Sequence, residues 1–585
     1  MTPPSARETR RNSDVSQPGL PYWTLIALLF GAWAVFFHLG DFPLLSPDEG
    51  RNAEVAREMK ESGAWLVPTY NGATYLDKPA FFFKAVALSL AALGDTELAA
   101  RLPSALSAFG LLLLVFAFCR RAYGELTAAL AVAIVASTPL VMAFSRIVIF
   151  DMMLGFFVCA AILSAYWAEE QEGARRRHGY LAATLAAGCA TLVKGPVGFL
   201  VPLLVMTSFH LVNGSRDAIR RFFTLPNIGL FLAVVLPWFI GLSLACPDFP
   251  YYGIMKESIA RFTTPEFRRT QPFYYYALII AGGFFAWSVI LPESMLVAWR
   301  DRRHLSRPDR LFAVWAIVVV VFFSLSQSKL PGYILTGVVA LGVLTARVFA
   351  EALSGRNPAA LGLTRRACLG LALAAGLLAV PPLLLTVSPE SMTKPKWLTT
   401  EVLANFGPLL PGLALSLGGV ALLALVAWTR RDARWGLAAF LAFPVLLLTV
   451  NFDLVPRQTG MKSARGLHER LPADLPAATE FACDRCLPHG LPFYLGQPVT
   501  VFTEDGRELT SNYVLFSLKS GKPWPERLIP AAKAQDYLAR RRHPVYLMMR
   551  GQRRAELETL ARAHGSRVDL YPNDYVGTLL PAPER

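Results

Sequence analysis

Charge is what this 585-residue chain has least of: Asp, Glu, Lys and Arg together make up 17% of it, against 54% hydrophobic residues. With a mean hydropathy of +0.40, that balance excludes an ordinary soluble globule and indicates a polytopic membrane protein. Acids are scarcer than bases, which leaves a formal net charge of +15. The arginines fall in short clusters between apolar runs, which is the pattern of membrane orientation and not of nucleic-acid binding. No G-x-G-x-x-G or P-loop occurs, so nucleotide binding has no motif to rest on. There are only seven cysteines. Cys119, Cys159, Cys189, Cys246 and Cys368 lie in or beside apolar segments and read as small buried hydrophobes. The N-terminal apolar run lacks an A-x-A cleavage pattern and follows Arg7, Arg10 and Arg11, as in an uncleaved signal-anchor with a cytoplasmic tail over 1–20.

Fourteen apolar runs are present between residues 22 and 451. The run at 81–93 has thirteen residues, too few to cross about 30 Å of hydrocarbon as a helix, and is expected to lie at the interface. Thirteen transmembrane helices then remain. This count puts Arg120-Arg121, Arg175 to Arg177, Arg216 with Arg220-Arg221, Arg300 to Arg310, Arg365-Arg366 and Arg430-Arg431 on the cytoplasmic side. The loop 41–97, Ser145 to Asp151, Lys194-Gly195-Pro196, the loop 247–272 and Ser328 to Pro331 then face outward, and so does everything after about 452. The expected architecture is a 21–451 membrane domain with an outer α/β domain over 452–585. In that domain Val499–Phe502, Pro544–Met549 and Val568–Leu570 read as strands, and Ala531–Arg542 and Gln552–His564 as helices, the latter closed by Gly565. The lone Cys483-Asp484-Arg485-Cys486 reads as a local disulfide.

The chemistry-bearing residues gather on the outward face. Asp48 and Glu49 open a charged helix, with Ser46 as its N-cap, Pro47 in the first turn, and Arg51 beside the acids. Asp151 starts a membrane helix inside an apolar run, where a carboxylate is costly. Two carboxylates on separate outer loops suit an enzyme that orients an acceptor and stabilises positive character on a sugar. Lys78 and Lys194 stand beside proline or glycine at an outer helix end, Lys329 stands two residues before Pro331, and the three suggest a phosphate pocket, to which Arg146, Arg261, Arg268 and Arg269 could add. Transporters hold ionisable residues near mid-membrane and show related halves. Here the candidates sit at one face, and no repeat is visible, so a transporter or flippase ranks below an enzyme.

Several ordered motifs carry a resemblance. S-P-D-E-G-R-N-A-E-V-A-R-E-M at 46–59, G-A-T-Y-L-D-K-P at 72–79, A-A-R-L-P-S-A-L at 99–106, S-R-I-V-I-F-D at 145–151 and S-K-L-P-G-Y-I-L at 328–335 resemble bacterial aminoarabinose transferases. A weaker likeness continues through F-Y-L-G-Q-P-V at 493–499. That family is ArnT-like and belongs to the wider GT-C glycosyltransferases, which include the protein O-mannosyltransferases. The resemblance implies an inverting transfer of 4-amino-4-deoxy-L-arabinose from undecaprenyl phosphate to a lipid A phosphate, at the periplasmic face of the bacterial inner membrane, by a monomer. Transfer to protein serine or threonine is the alternative. It also implies catalytic roles for Asp48 and Asp151, contact of Lys78 with the lipid phosphate, and a pocket shared by Arg51, Lys329 and Tyr333. Glu49, Arg146, Lys194 and Arg261 complete the expected substrate-binding set. Two departures bear on a divalent metal. Asp77 stands where the family commonly has glutamate, and Ser258 where it commonly has histidine, leaving Asp77 the single metal candidate.

Overall fold

A computed structural model of the chain describes residues 21–582 apart from Arg268, Arg356 and residues 389–399. The N-terminal tail over 1–20 therefore lies outside the described residues. Below the outer domain the chain is helical. Among the described residues seven helices are long and apolar enough to cross a membrane, or nine if each of two bent pairs is one span. Thirteen crossings would require Pro21–Phe36, Gly173–Lys194, Val197–Val212 and Ala433–Leu448 to span as well, although three of these have 16 residues and the fourth begins with arginines.

The bent pairs have local causes. Glu125–Ala136 and Pro139–Ser145 meet at 68°. Pro139 cannot continue the preceding helix, and the Ser137 and Thr138 hydroxyls donate back to the carbonyls of Ile134 and Val135 at 3.0 and 2.9 Å. The second pair, Tyr275–Gly283 and Trp287–Arg300, turns by 119°, so the apolar run over 273–297 is broken. Glu125–Ala136 packs against Pro21–Phe36, Glu97–Tyr123 and Leu335–Leu353. Its small side chains allow close approach. A Cβ on Gly342 would fall 2.7 Å from Val135, so that position must stay small.

The arginine-rich ends are tied to one another. Arg221 and Arg307 both approach Glu169, Tyr123 and Arg347 both approach Asp309, and Arg310 reaches Asn213. Glu169 closes the helix that Asp151 opens, and Arg307 to Arg310 open the helix that ends just before Ser326.

At the opposite end, the Asp48–Ser62 helix and the short Phe81–Leu93 helix pack on each other and flank a two-stranded hairpin, β1 (Thr69–Tyr70) and β2 (Ala73–Thr74). The outer domain holds a six-stranded sheet built from β3 (Glu480–Asp484), β4 (Thr500–Thr503), β5 (Leu528–Pro530), β6 (Val545–Arg550), β7 (Val568–Tyr571) and β8 (Tyr575–Leu580). Its order is β5-β4-β3-β6-β8-β7, parallel across the first four and antiparallel over β6-β8-β7. The helix expected at Ala531–Arg542 narrows to Ala534–Ala539. That at Gln552–His564 forms over Arg554–Ala563, with Gly565 just past its end at φ +64°. Strands β3, β5 and β8 were not read from the sequence.

The outer domain is not a separate lobe. Tyr70, Tyr75 and Phe83 share one apolar core with Phe481, Leu491, Val501 and Tyr546. Cys483 and Cys486 are buried in this sheet as two free thiols, so the expected local disulfide is not present. Cys483 is held inside β3 between β4 and β6, while the Cys486 thiol points at the Met548 carbonyl.

Candidate active site

The Asp48–Ser62 helix begins at Asp48. Ser46 makes no side-chain cap, contrary to the sequence expectation. Glu49 Oε2 instead accepts from the Leu45 N–H, ahead of the helix, at 2.9 Å. Glu49 is 2% exposed. It also accepts from both Nε and Nη2 of Arg101, at 2.9 and 3.0 Å, and from the Val148 N–H at 2.9 Å. Arg101 in turn donates to the carbonyls of Leu39, Phe42 and Pro43. Glu49 is thus a saturated strut joining the loop after the first helix to the Asp151 turn, with no lone pair facing a substrate. Asp48 differs: its side chain is 53% exposed and, among the described residues, meets only Arg51 Nη2, at 2.5 Å. Arg51 is anchored from the outer domain, donating to the Thr510 hydroxyl at 2.8 Å and the Thr510 carbonyl at 3.2 Å.

A second group lies where the membrane helices end. Lys194 donates to Asp151 at 2.5 Å. The same ammonium stands 4.7 Å from the centre of the Tyr333 ring and 5.4 Å from that of Phe150, within cation–π range. Lys78 lies on the same Phe150 ring at 5.9 Å and donates to Glu257 at 2.7 Å. Arg261 donates to Glu257 at 2.7 Å and to the Tyr333 hydroxyl at 3.3 Å. Asp151, Lys194, Tyr333, Arg261, Glu257 and Lys78 therefore form a continuous chain of contacts around Phe150. Gly332 is required within it, since a Cβ there would sit 2.7 Å from Asp151 Oδ1.

Asp77 links this group to the outer domain. It accepts from the Asn512 and Tyr513 backbone N–H groups at 3.0 and 2.7 Å and from the Tyr252 hydroxyl at 2.8 Å. Burial, then the neighbouring Glu257, pushes the Asp77 carboxyl up from its ordinary value. Burial would also raise Glu257, but Lys78 and Arg261 outweigh it and hold that carboxyl low. Burial draws the Lys78 ammonium down. Tyr252 and Glu257 lie on the Tyr251–Ala260 segment, wound as a π-helix, and the Tyr252 hydroxyl is 3.3 Å from Glu257 Oε1. Such segments are rare and collect at functional sites.

Other expected residues stand apart. Lys329 donates to its own turn at the Ser326 carbonyl, 2.7 Å away, and its backbone N–H to Arg269. Arg146 is buried among the carbonyls of Met142 and Phe37, with no carboxylate partner among the described residues. Arg268 lies outside the described residues.

The chain as a whole is similar to known proteins in sequence and in fold. The family model of dolichyl-phosphate-mannose-protein mannosyltransferases matches residues 26–252. The undecaprenyl phosphate-alpha-4-amino-4-deoxy-L-arabinose arabinosyl transferase of Serratia proteamaculans is 30% identical over 329 residues, covering 55% of this chain and 58% of that protein. The transferase of the same name from Edwardsiella ictaluri is 29% identical over 435 residues, covering 73% and 76%. The match thus spans little more than half the length of the first of these relatives. In three dimensions the likeness extends along nearly the whole chain: the crystal structure of ArnT from Cupriavidus metallidurans bound to undecaprenyl phosphate superposes with a TM-score of 0.78 at 25% identity, over 97% of this chain and 100% of that one. The chain is ArnT-like, with the GT-C fold.

In this ArnT-like chain the residues do not suit a three-ligand metal site. Among the described residues no three His, Cys, Asp or Glu side chains stand together. Both Asp77 oxygens are taken by donors, Glu257 by two cations, and the Ser258 hydroxyl by the Gly253 carbonyl at 2.8 Å. Sequence reasoning missed Glu257, Tyr252, Arg101 and Asn512 as parts of the site. Arg101 stood in a recognised motif at 99–106, yet its role depends on carbonyls more than fifty residues away.

Proposed function

We propose that this chain transfers 4-amino-4-deoxy-L-arabinose from undecaprenyl phosphate to a phosphate of lipid A, with inversion, at the periplasmic face of the inner membrane. The observation that carries this reading is the ring of Lys78, Lys194 and Arg261 around Phe150 and Tyr333, in a chain that shares its whole fold with an ArnT bound to undecaprenyl phosphate. A lipid-linked sugar phosphate is a phosphodiester with one negative charge. Breaking its bond to the sugar leaves a monoester on the lipid, so a second charge develops on that phosphate. Cations fixed before the reaction stabilise this change most, because they need no reorganisation as it occurs. Glu257 and Asp151 hold those cations in place at 2.7 and 2.5 Å.

Asp48 serves the other reactant. It is the half-exposed carboxylate at the front of this face, paired on one side with Arg51. It orients the acceptor and offsets positive character on the sugar carbon. A phosphate acceptor is already anionic and needs little proton removal, whereas a hydroxyl acceptor would need Asp48 as a base. The matching mannosyltransferase model favours one second reading, transfer to protein serine or threonine. A mass spectrum of lipid A from cells with and without the gene tests the choice. A gene-dependent pentosamine increment on a phosphate is the expected result. An unchanged lipid A together with a gene-dependent glycoprotein would replace the acceptor.

A further inference from the structure

Beside Asp48, at the seam between the 41–62 segment and the outer domain, lies a cavity of about 230 Å³ that the catalytic ring does not use. Ser46 forms one wall; Lys462, Ser463, Pro488, His489, Arg550, Asn573 and Tyr575 form others. Its position is fixed by a close backbone approach. A Cβ on Gly50 would fall 2.6 Å from the Gly490 Cα, so the start of the Asp48 helix rests directly on the turn carrying His489.

The wall is cationic without counter-charge. Lys462 makes no salt bridge or side-chain hydrogen bond among the described residues, and its side chain is free to turn inward. Arg550 is steered by the Tyr575 ring, 4.0 Å from its guanidinium carbon, and donates to the Asn573 carbonyl at 3.0 Å, again with no carboxylate partner. His489 meets the Tyr70 hydroxyl at 3.0 Å through Nδ1. Burial first, then Arg51, draws its imidazole down to about 3, so it is neutral at physiological pH and able to donate or accept. Two cations, two serines and an imidazole around a small polar cavity match an oxyanion carried on a polar sugar. The volume is below the roughly 300 Å³ from which pockets for drug-sized ligands begin, so it suits a headgroup and not a whole lipid.

We propose that this cavity holds a phosphate monoester of the acceptor glycolipid, placing the attacking part of the acceptor at Asp48. The inference rests on the reading above that Asp48 faces the acceptor, because Ser46 lies both in the cavity wall and two residues before Asp48. The cationic ring at Lys78 and Lys194 then serves the donor, and the two phosphates enter from different sides of Asp48.

The test is a calorimetric titration of the purified full chain, in phosphatidylcholine nanodiscs, with glucosamine 1-phosphate and with glucosamine. We expect the sugar phosphate to bind and the sugar without its phosphate not to. The double variant Lys462→Ala/Arg550→Gln should weaken binding at least tenfold while Lys78→Ala leaves it within twofold. Both altered side chains are exposed, so the double variant should keep the wild-type melting temperature. Undiminished affinity in the double variant overturns the proposal. So does loss of sugar-phosphate binding when phosphatidylglycerol replaces the neutral lipid, which would make the cavity a bilayer-headgroup site. Binding that depends on Lys462 and Arg550 supports the cavity even where lipid A is never modified, a result that would sink the lipid A assignment alone. With lipid A as substrate, the double variant should raise its KM at least tenfold and leave the donor KM unchanged.

Discussion

Lys78 and Glu257, 179 residues apart, meet at 2.7 Å with both side chains almost wholly covered. The contact joins the loop after the first helix to the π-wound segment, and it fixes the ammonium beside Phe150 before any donor arrives. A lysine so held is expensive, since burial disfavours its charge. On the proposed function, that cost is offset when a donor phosphate gains charge beside it.

Lys78→Ala should therefore lower kcat by about a hundredfold to a thousandfold, the cost typical of removing one preorganised stabilising group. Single-turnover transfer with saturating lipid-linked donor measures it. A loss confined to donor KM would mean that Lys78 only binds and does not stabilise the developing charge.

Asp48→Asn keeps size and removes charge. Because Asp48 is half-exposed and paired with Arg51, the variant should stay folded in detergent, with a melting temperature within about a degree or two of the parent, consistent with the small worth of an exposed ion pair. Turnover should be lost. Full activity in this variant would remove Asp48 from the chemistry.

How much of this was legible in the sequence depends on the range of the forces concerned. Asp151 and Lys194 could be chosen in advance because charge at the end of an apolar run is costly unless used, and Asp48, Lys78, Arg261 and Tyr333 because they stand in the charged outer loops or in motifs that carry the family resemblance. That Lys194 and Asp151 touch, and that Arg261 meets Tyr333, could not be read from spacing, since those pairs are 43 and 72 residues apart. Glu49 looked equivalent to Asp48 in sequence. One helical step, about 100°, separates them in fact, turning one outward and the other onto Arg101. Strands β3, β5 and β8 escaped notice for a different reason. Their pairing is set by partners such as Glu480 with Val545 and Tyr575 with Arg550, and short segments carry little periodicity of their own.

Acid should loosen the outer domain through His489. Its folded value lies at about 3 against an ordinary 6.5, so between these the unfolded chain binds a proton that the folded chain does not. Stability from this group is complete above 6.5 and is lost as pH falls from 6.5 toward 3. Thermal unfolding followed across that window should show a shallower acid slope in His489→Gln than in the parent. Identical slopes would place the acid sensitivity elsewhere.

The last expectation separates support from chemistry. Glu49 and Arg101 are both fully buried and doubly hydrogen-bonded. Removing one partner strands the other, and for a buried pair that costs about 3–5 kcal/mol. Arg101→Met should accordingly lower the melting temperature by several degrees and reduce the yield of folded protein. The further replacement Glu49→Leu should recover part of the loss, because no uncompensated charge then remains. Turnover per folded molecule should fall far less than in Asp48→Asn. Arg101 acts on the reaction only through the Leu39, Phe42 and Pro43 carbonyls that set the loop before Asp48. If folded Arg101→Met lost turnover as completely as Asp48→Asn, the pair would have to be moved from the scaffold into the site itself.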